Sequence, residues 1–147
     1  MKLIALSPLG APLTPITDLP RAIEDVLDQT RSLYERERYE APWISYVGVE
    51  GDRAVGLGAF KSAPREGRVE IAYMTAPQHE GRGVATAIAR ELIALARRAD
   101  PQIDILAQTL REENASVAIL RKLGFDLTGD VLHPEDGWVW EWRLAAG

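Results

Sequence analysis

PQHEGRGVATAI occupies residues 77–88, directly after the strand-like RVEIAYMT at 68–75. Two glycines flank an arginine, and a run of small residues then opens a helix. Glycine is the poorest helix former after proline, and a plain turn would need only one. If strand, loop and helix belong to a β-α-β unit, the first backbone amides of the helix point outward without partners. The helix dipole adds partial positive charge there. Together these make an anion site well suited to phosphate. Gly81 and Gly83 put no Cβ in the way, Arg82 adds a full charge, and Thr86 adds a hydroxyl donor. A glycine-rich turn that merely starts a helix fits the loop equally well. The GxxxxGK[ST] pattern of a P-loop is absent. GRGVAT has GxG, but Thr86 stands where a dinucleotide fingerprint needs its third glycine.

The helix after the loop runs to about Arg98, with Ala85, Ile88, Ala89, Leu92 and Ala96 as its apolar stripe. IDILAQT (103–109) is the next strand. A full helix joins it to 68–75, so the two strands are expected to be parallel, with a right-handed crossover. Upstream, KLIAL (2–6) suits a short strand. From Asp18 to about Arg38, the residues Leu19, Ile23, Val26, Thr30 and Leu33 fall at helical steps. Asp18 can cap that helix, and Pro20 is tolerated in its first turn. After Pro42, WISYVGV (43–49) and RAVGLGAF (53–60) form a hairpin, with EGD as a slightly long turn. Downstream, Asn114 can cap a helix that Gly124 ends. FDLTGDV (125–131) and WVWEWRL (138–144) close the chain as a hairpin around LHPEDG. The order is β-α-β-β-β-α-β-α-β-β. It predicts an α/β (α+β) fold: a mixed, mostly antiparallel sheet of about seven strands, one parallel pair, and three to four helices.

The 147 residues suit one domain over 1–147. There is no cysteine, which excludes disulfides, thiolate metal sites and a Cys nucleophile. His79 and His133 are far apart in the chain, so no metal site is expected. No apolar run approaches the ~20 residues of a membrane span, and MKLIALSPLGAPLTP is too short in apolar residues for a secretory signal. A cytoplasmic protein is the expectation, with no membrane partner. The net charge of −5 comes without a basic stripe, so no nucleic acid is expected as partner. The acidic balance favours a cationic or neutral partner, or simply serves solubility.

The strand VEIAYMT, the glycine loop, the helix, the next strand and then ENASVAILRKLGF together resemble the GCN5-related N-acetyltransferase (GNAT) superfamily. Within it the chain is similar to the branch of ribosomal-protein N-terminal acetyltransferases. The superfamily's Q/R-x-x-G-x-G/A signature falls on Gln78, Gly81 and Gly83, and NASVAILRKLGF resembles the branch's Asn-Ser helix with LGF. One departure shows: Glu113 holds the branch's usual Asn position, three before Ser116, and Asn114 stands two before it. The resemblance covers roughly 43–131, and more loosely the whole chain.

The resemblance implies the acyl-CoA N-acyltransferase fold, with the parallel pair splayed, and acetyl-CoA as co-substrate. The loop Gly81, Arg82, Gly83, Val84, Ala85 and Thr86 would take the pyrophosphate, with Gln78 opening the signature. Main-chain groups of Tyr73 and Thr75 would pair with the pantetheine arm, and Asn114 would meet it from the next helix. Asn114 also reads as a plain cap, and both roles are compatible. Glu70 matches a strand position that serves as general base in some relatives; an outward charge on an alternating strand fits as well. Many relatives place a tyrosine acid where Leu120 stands here. Ser116 matches a serine given that role in the branch, and it also reads as a first-turn serine bonding local backbone.

His79 reads as a solvated loop histidine or a cofactor contact, and YERERYE (34–40) as a solvated helix end. Trp138, Trp140 and Trp142 lie on one face of the last strand. Packing, a ligand contact or a homodimer surface would each use that face. The functional expectation is acetyl transfer from acetyl-CoA to a primary amine, on a protein N-terminus or a small molecule. The alternatives are a non-catalytic acyl-CoA-binding module and a nucleotide-binding α/β domain.

Overall fold

The computed structural model describes residues 1–146. In chain order the elements are β1 (Lys2–Ala5), α1 (Arg21–Arg36), β2 (Ser45–Glu50), β3 (Arg53–Phe60), β4 (Arg68–Thr75), α2 (Val84–Ala99), β5 (Asp104–Thr109), α3 (Ala115–Lys122), β6 (Asp126–His133) and β7 (Gly137–Leu144). A short 3-10 turn, Pro77–His79, precedes α2. The strands form one seven-stranded sheet in the order β1-β2-β3-β4-β5-β7-β6. β4 and β5 run parallel, and the other neighbours are antiparallel. This is the expected mixed sheet, and it departs from the parallel doubly wound sheet of dinucleotide-binding domains.

The parallel pair is short. Its register runs from Arg68↔Asp104 to Glu70↔Leu106 and stops. β4 stays with β3 as far as Thr75↔Gly56, and β5 stays with β7 as far as Thr109↔Trp140. Each strand thus follows its own half of the sheet, and a gap opens past Glu70. The Glu70 carbonyl accepts from the Lys61 amide, and the Ala76 amide donates to Val55, so even-numbered residues of β4 aim their main-chain groups at β3. By strand alternation, Ile71, Tyr73 and Thr75 aim theirs into the gap.

Alternation also sorts the side chains. Ile71, Ile105 and Trp142 pack with Ile88 and Leu92 of α2 and Leu120 of α3 on one face. Val47, Leu57 and Leu6 pack with Ile23 and Leu27 of α1 on the other. Each such side chain, once buried, contributes about 1.5–3 kcal/mol. The Trp142 indole N–H donates to Thr109 Oγ1 at 3.0 Å, which satisfies both buried polar groups. All three tryptophans share the α3 face by alternation, yet Trp138 remains 54% exposed because the strand has run past the helix.

Two local expectations are corrected. α1 begins at Arg21 behind Pro20, with no side-chain cap. Asp18 is spent on Arg53, 3.0 Å away, which ties the approach to α1 to β3. The EGD turn is tight, not long: Glu50 pairs with Arg53, and Gly51-Asp52 alone make the turn. A register shift at Gly48/Val49 absorbs the extra residue. α3 ends as expected, with Gly124 at φ 92°. The Gly124 amide donates to Arg121 and the Phe125 amide to Leu120, the paired bonds of a Schellman cap.

Candidate active site

The residues around the β4–β5 gap build a cleft of about 630 Å³. Tyr73 and Thr75 line it from β4, and Ser116 lines it from α3. Gly81, Gly83, Val84, Ala85 and Thr86 close one end. Gly83 caps α2 at φ 77°, ψ 15°, and Gly81 has φ 78°. A Cβ at either would meet open space, so the left-handed backbone, not crowding, demands glycine there. The first helical bond of α2 runs from the Ala87 amide to Gly83. The amides of Val84, Ala85 and Thr86 therefore have no helical partner and face the cleft end.

Two signature residues lie off the cleft. Gln78 sits exposed on the 3-10 turn. The Arg82 guanidinium folds back so that Nη2 lies 2.5 Å from His79 Nδ1. His79 is only 8% exposed, which corrects the expectation of a solvated histidine. A guanidinium can only donate, so Nδ1 is the acceptor in this contact.

A polar chamber of about 300 Å³ adjoins the cleft through Ser116, which lines both. Asn114 belongs to this chamber rather than to the cleft. Its Oδ1 takes the Val117 amide at 2.9 Å as the cap of α3, leaving its NH₂ to donate. His133 and Asp136 reach the chamber from the β6–β7 turn, where the Glu135 and Asp136 amides both donate to His133 Nδ1.

Lys61 lines the polar chamber and also an outer one of about 710 Å³. Glu37, Arg38 and Glu40 line the outer chamber, so YERERYE is more than a solvated helix end. Its tyrosines anchor it: Tyr34 Oη accepts from the Ser45 amide at 2.9 Å, and Tyr39 donates to the Leu6 carbonyl at 2.6 Å.

Glu70 is the last β4 residue paired to β5, at the apex of the gap. Alternation puts its side chain on the α1 face, and it lines none of these three cavities. Lys61 Nζ lies 3.0 Å from Glu70 Oε2. That approach is an ion pair without hydrogen-bonding geometry: Oε2 is shut from solvent and accepts no hydrogen bond. Leu120 is fully buried in the core, so α3 offers no polar group at that position.

Sequence reasoning missed two side chains. Lys61 continues the alternation of β3, but only the fold shows which chambers it borders. The Tyr73 phenol, where the sequence pointed only to the residue's main chain, stands beside Ser116. Burial pushes its pKa up to about 12, and the Ser116 hydroxyl pulls the other way. The phenol thus keeps its proton throughout the working pH range. A pKa raised from 10 to about 12 means the folded state holds this proton more tightly, so the stabilisation is complete below pH 10. It is lost as pH rises towards 12. Tyr73→Phe should flatten the alkaline loss of stability by roughly 2–3 kcal/mol, measured by urea unfolding between pH 9 and about 12. An unchanged pH dependence would show that the phenol is not held neutral.

The comparisons with known proteins agree with this geometry. The family model described as an acetyltransferase (GNAT) domain matches residues 14–126. Among solved structures, YncA of Salmonella typhimurium with its cofactor acetyl-CoA superposes with TM-score 0.67 at 22% identity, covering 82% of this chain and 74% of that one. A ribosomal-protein-alanine N-acetyltransferase from Brucella melitensis gives 0.66 at 18%, covering 80% and 77%. The spermidine/spermine N-acetyltransferase SpeG from Vibrio cholerae gives 0.67 at 17%, covering 81% and 76%. Compared with curated proteins by sequence, the chain has no significant match. No helix among the described residues is long and apolar enough to cross a membrane. With a family model spanning most of its length and the splayed-strand fold to match, the chain belongs to the GNAT acetyltransferase family and is an acyltransferase dependent on acetyl-CoA.

Proposed function

We propose that the chain is an N-acetyltransferase that carries the acetyl group of acetyl-CoA to a primary amine by direct attack in a ternary complex. The observation that carries this reading is the series of cavities. The cleft and the polar chamber share Ser116, and the polar and outer chambers share Lys61. Two reactants can approach Ser116 from opposite sides and meet there, which a direct transfer needs.

Acetyl-CoA supplies an activated acetyl thioester and a diphosphate. The unpartnered amides of Val84, Ala85 and Thr86, with those of Gly81, Arg82 and Gly83, suit the diphosphate. The free main-chain groups of Tyr73 and Thr75 suit the amides of the arm, as an added strand would. Arg82 and Gln78 contribute from outside the cleft, Arg82 as a charge next to the amides. The Asn114 NH₂ reaches the chamber side.

An amine of the lysine type has a pKa of ~10.4 and must lose a proton to attack. Glu70 is the base, directly or through water. Its side chain is 22% exposed next to the last β4–β5 pair, so the amine or a water meets the carboxylate on its exposed side rather than at the buried Oε2. Ser116 donates toward the departing thiolate. Tyr73 lines the cleft beside Ser116, and its own proton is too tightly bound to leave at neutral pH. This arrangement stands in for the tyrosine that Leu120 replaces.

Leu120 also favours a second reading, a non-catalytic acyl-CoA-binding module. A thiol-release assay over a panel of amines separates the two. Turnover on at least one amine is expected. Tight acetyl-CoA binding without turnover on any amine would establish the module instead. The relatives named above differ in their acceptors, ribosomal protein in one and spermidine or spermine in another, so the acceptor must be read from this chain's own chambers.

A further inference from the structure

The charges on the two acceptor-side chambers nearly balance, and that restricts which amine they admit. The outer chamber presents Arg38, Lys61 and Arg65 against Glu37 and Glu40. Arg38 and Glu40 already answer each other at 3.8 Å. The polar chamber sets Lys61 against Asp136. Neither wall has the acidic excess that would draw a polycation. A polyamine would bring several ammonium groups past Lys61 and Arg65, a like-charge conflict that disfavours it.

The junction is more specific. Lys61 Nζ and Glu70 Oε2 lie 3.0 Å apart, with Oε2 shut from solvent and the Lys61 side chain 43% exposed. An acceptor ammonium approaching Glu70 would stand beside the Lys61 ammonium. If the acceptor brought only that one charge, two cations would share one carboxylate. An acceptor that brings its own carboxylate removes the conflict. Its ammonium faces Glu70, its carboxylate faces Lys61, and four charges alternate in sign. In an α-amino acid a single carbon separates the two groups, a spacing that suits a partner pair in direct contact. The polar chamber, at about 300 Å³, is at the small end of ligand sites.

We propose that the acceptor is a zwitterionic amine of the α-amino-acid class, its carboxylate taken by Lys61 and its amine delivered to Glu70; this rests on the transferase reading above. The reaction balances without a further reagent. The ammonium gives one proton to Glu70, which later releases it to water. The amine nitrogen bonds the acetyl carbon as the carbon–sulfur bond breaks, and the second proton the nitrogen sheds replaces the one that Ser116 passes to the departing thiolate.

The test is a matched panel at saturating acetyl-CoA: α-amino acids, their methyl esters, the corresponding decarboxylated amines, and spermidine. Thiol release is followed for the wild type, Lys61→Met and Lys61→Arg. The free amino acids should exceed their esters in kcat/KM by about tenfold or more, the scale of a charge-assisted hydrogen bond. The comparison is a demanding one, because an ester's amine is less basic and more readily neutral. Lys61→Met should bring the ratio towards one, and Lys61→Arg should restore part of it. A merely structural lysine would lower all rates together and leave the ratio intact. Equal or better turnover of esters, decarboxylated amines or spermidine overturns the proposal, as does a ratio that survives in Lys61→Met. Silence with every amine while acetyl-CoA still binds overturns the transferase reading itself, and this proposal with it.

Discussion

Glu70→Gln should lower kcat by about a hundredfold, the lower end of what a positioned base contributes, while the KM for acetyl-CoA changes little. The substitution keeps size and removes only the charge and basicity. Glu70 sits at the apex of the β4–β5 gap but lines no part of the cleft proposed for acyl-CoA, so cofactor binding has no reason to follow. The loss should shrink as pH rises, because at high pH more of the amine is already neutral and needs no base. Steady-state rates from pH 7 to about 10 test both statements. Unchanged kcat would remove Glu70 from the reaction. A loss of the same size at every pH would assign it to substrate orientation rather than proton transfer.

The second large effect is on stability. Gly56→Ala should cost about 3 kcal/mol or more, at or above the upper end of ordinary overpacking. A Cβ there would lie 2.4 Å from the Met74 carbonyl oxygen and 2.7 Å from Ile88 Cδ1. Neither can withdraw easily, since the Met74 carbonyl is fixed in β4 and Ile88 is fully buried on the sheet-facing side of α2. Against a typical total of about 5–15 kcal/mol this is a large fraction, and the melting temperature should fall by roughly ten degrees. Gly51→Ala is the control. Gly51 has φ 66° and open space around it, so only backbone strain of about 1 kcal/mol is expected. Similar melting shifts for the two variants would mean that α2 does not rest on glycine at β3. That seat also fixes where the first amides of α2 stand, so a folded Gly56→Ala protein should bind acetyl-CoA more weakly as well.

What the chain discloses by itself depends on how far apart the interacting residues are. The paired glycines at 81 and 83 are a local signal: they do stand at the head of α2, but for their left-handed backbone rather than for the room a missing Cβ leaves. The Asn114 cap and the Gly124 stop are likewise local. Asp18 misleads because its partner, Arg53, is brought near only by the sheet. The β2–β3 turn is mistaken in length because its register depends on the irregularity at Gly48/Val49. His79 is buried by what packs over it, and that in turn decides the direction of Arg82. Lys61 gains significance only when the β6–β7 hairpin returns to wall off the polar chamber. Likewise, only the fold brings the Tyr73 phenol beside Ser116 of α3.

The most direct test is a crystal structure with acetyl-CoA bound. The arm should pair with the main chain of Tyr73 and Thr75, the diphosphate should accept from the amides of residues 81–86, and the thioester should lie beside Ser116. A cofactor seated elsewhere, with the β4–β5 gap empty and the amides of α2 unused, would contradict the assignment of this cleft.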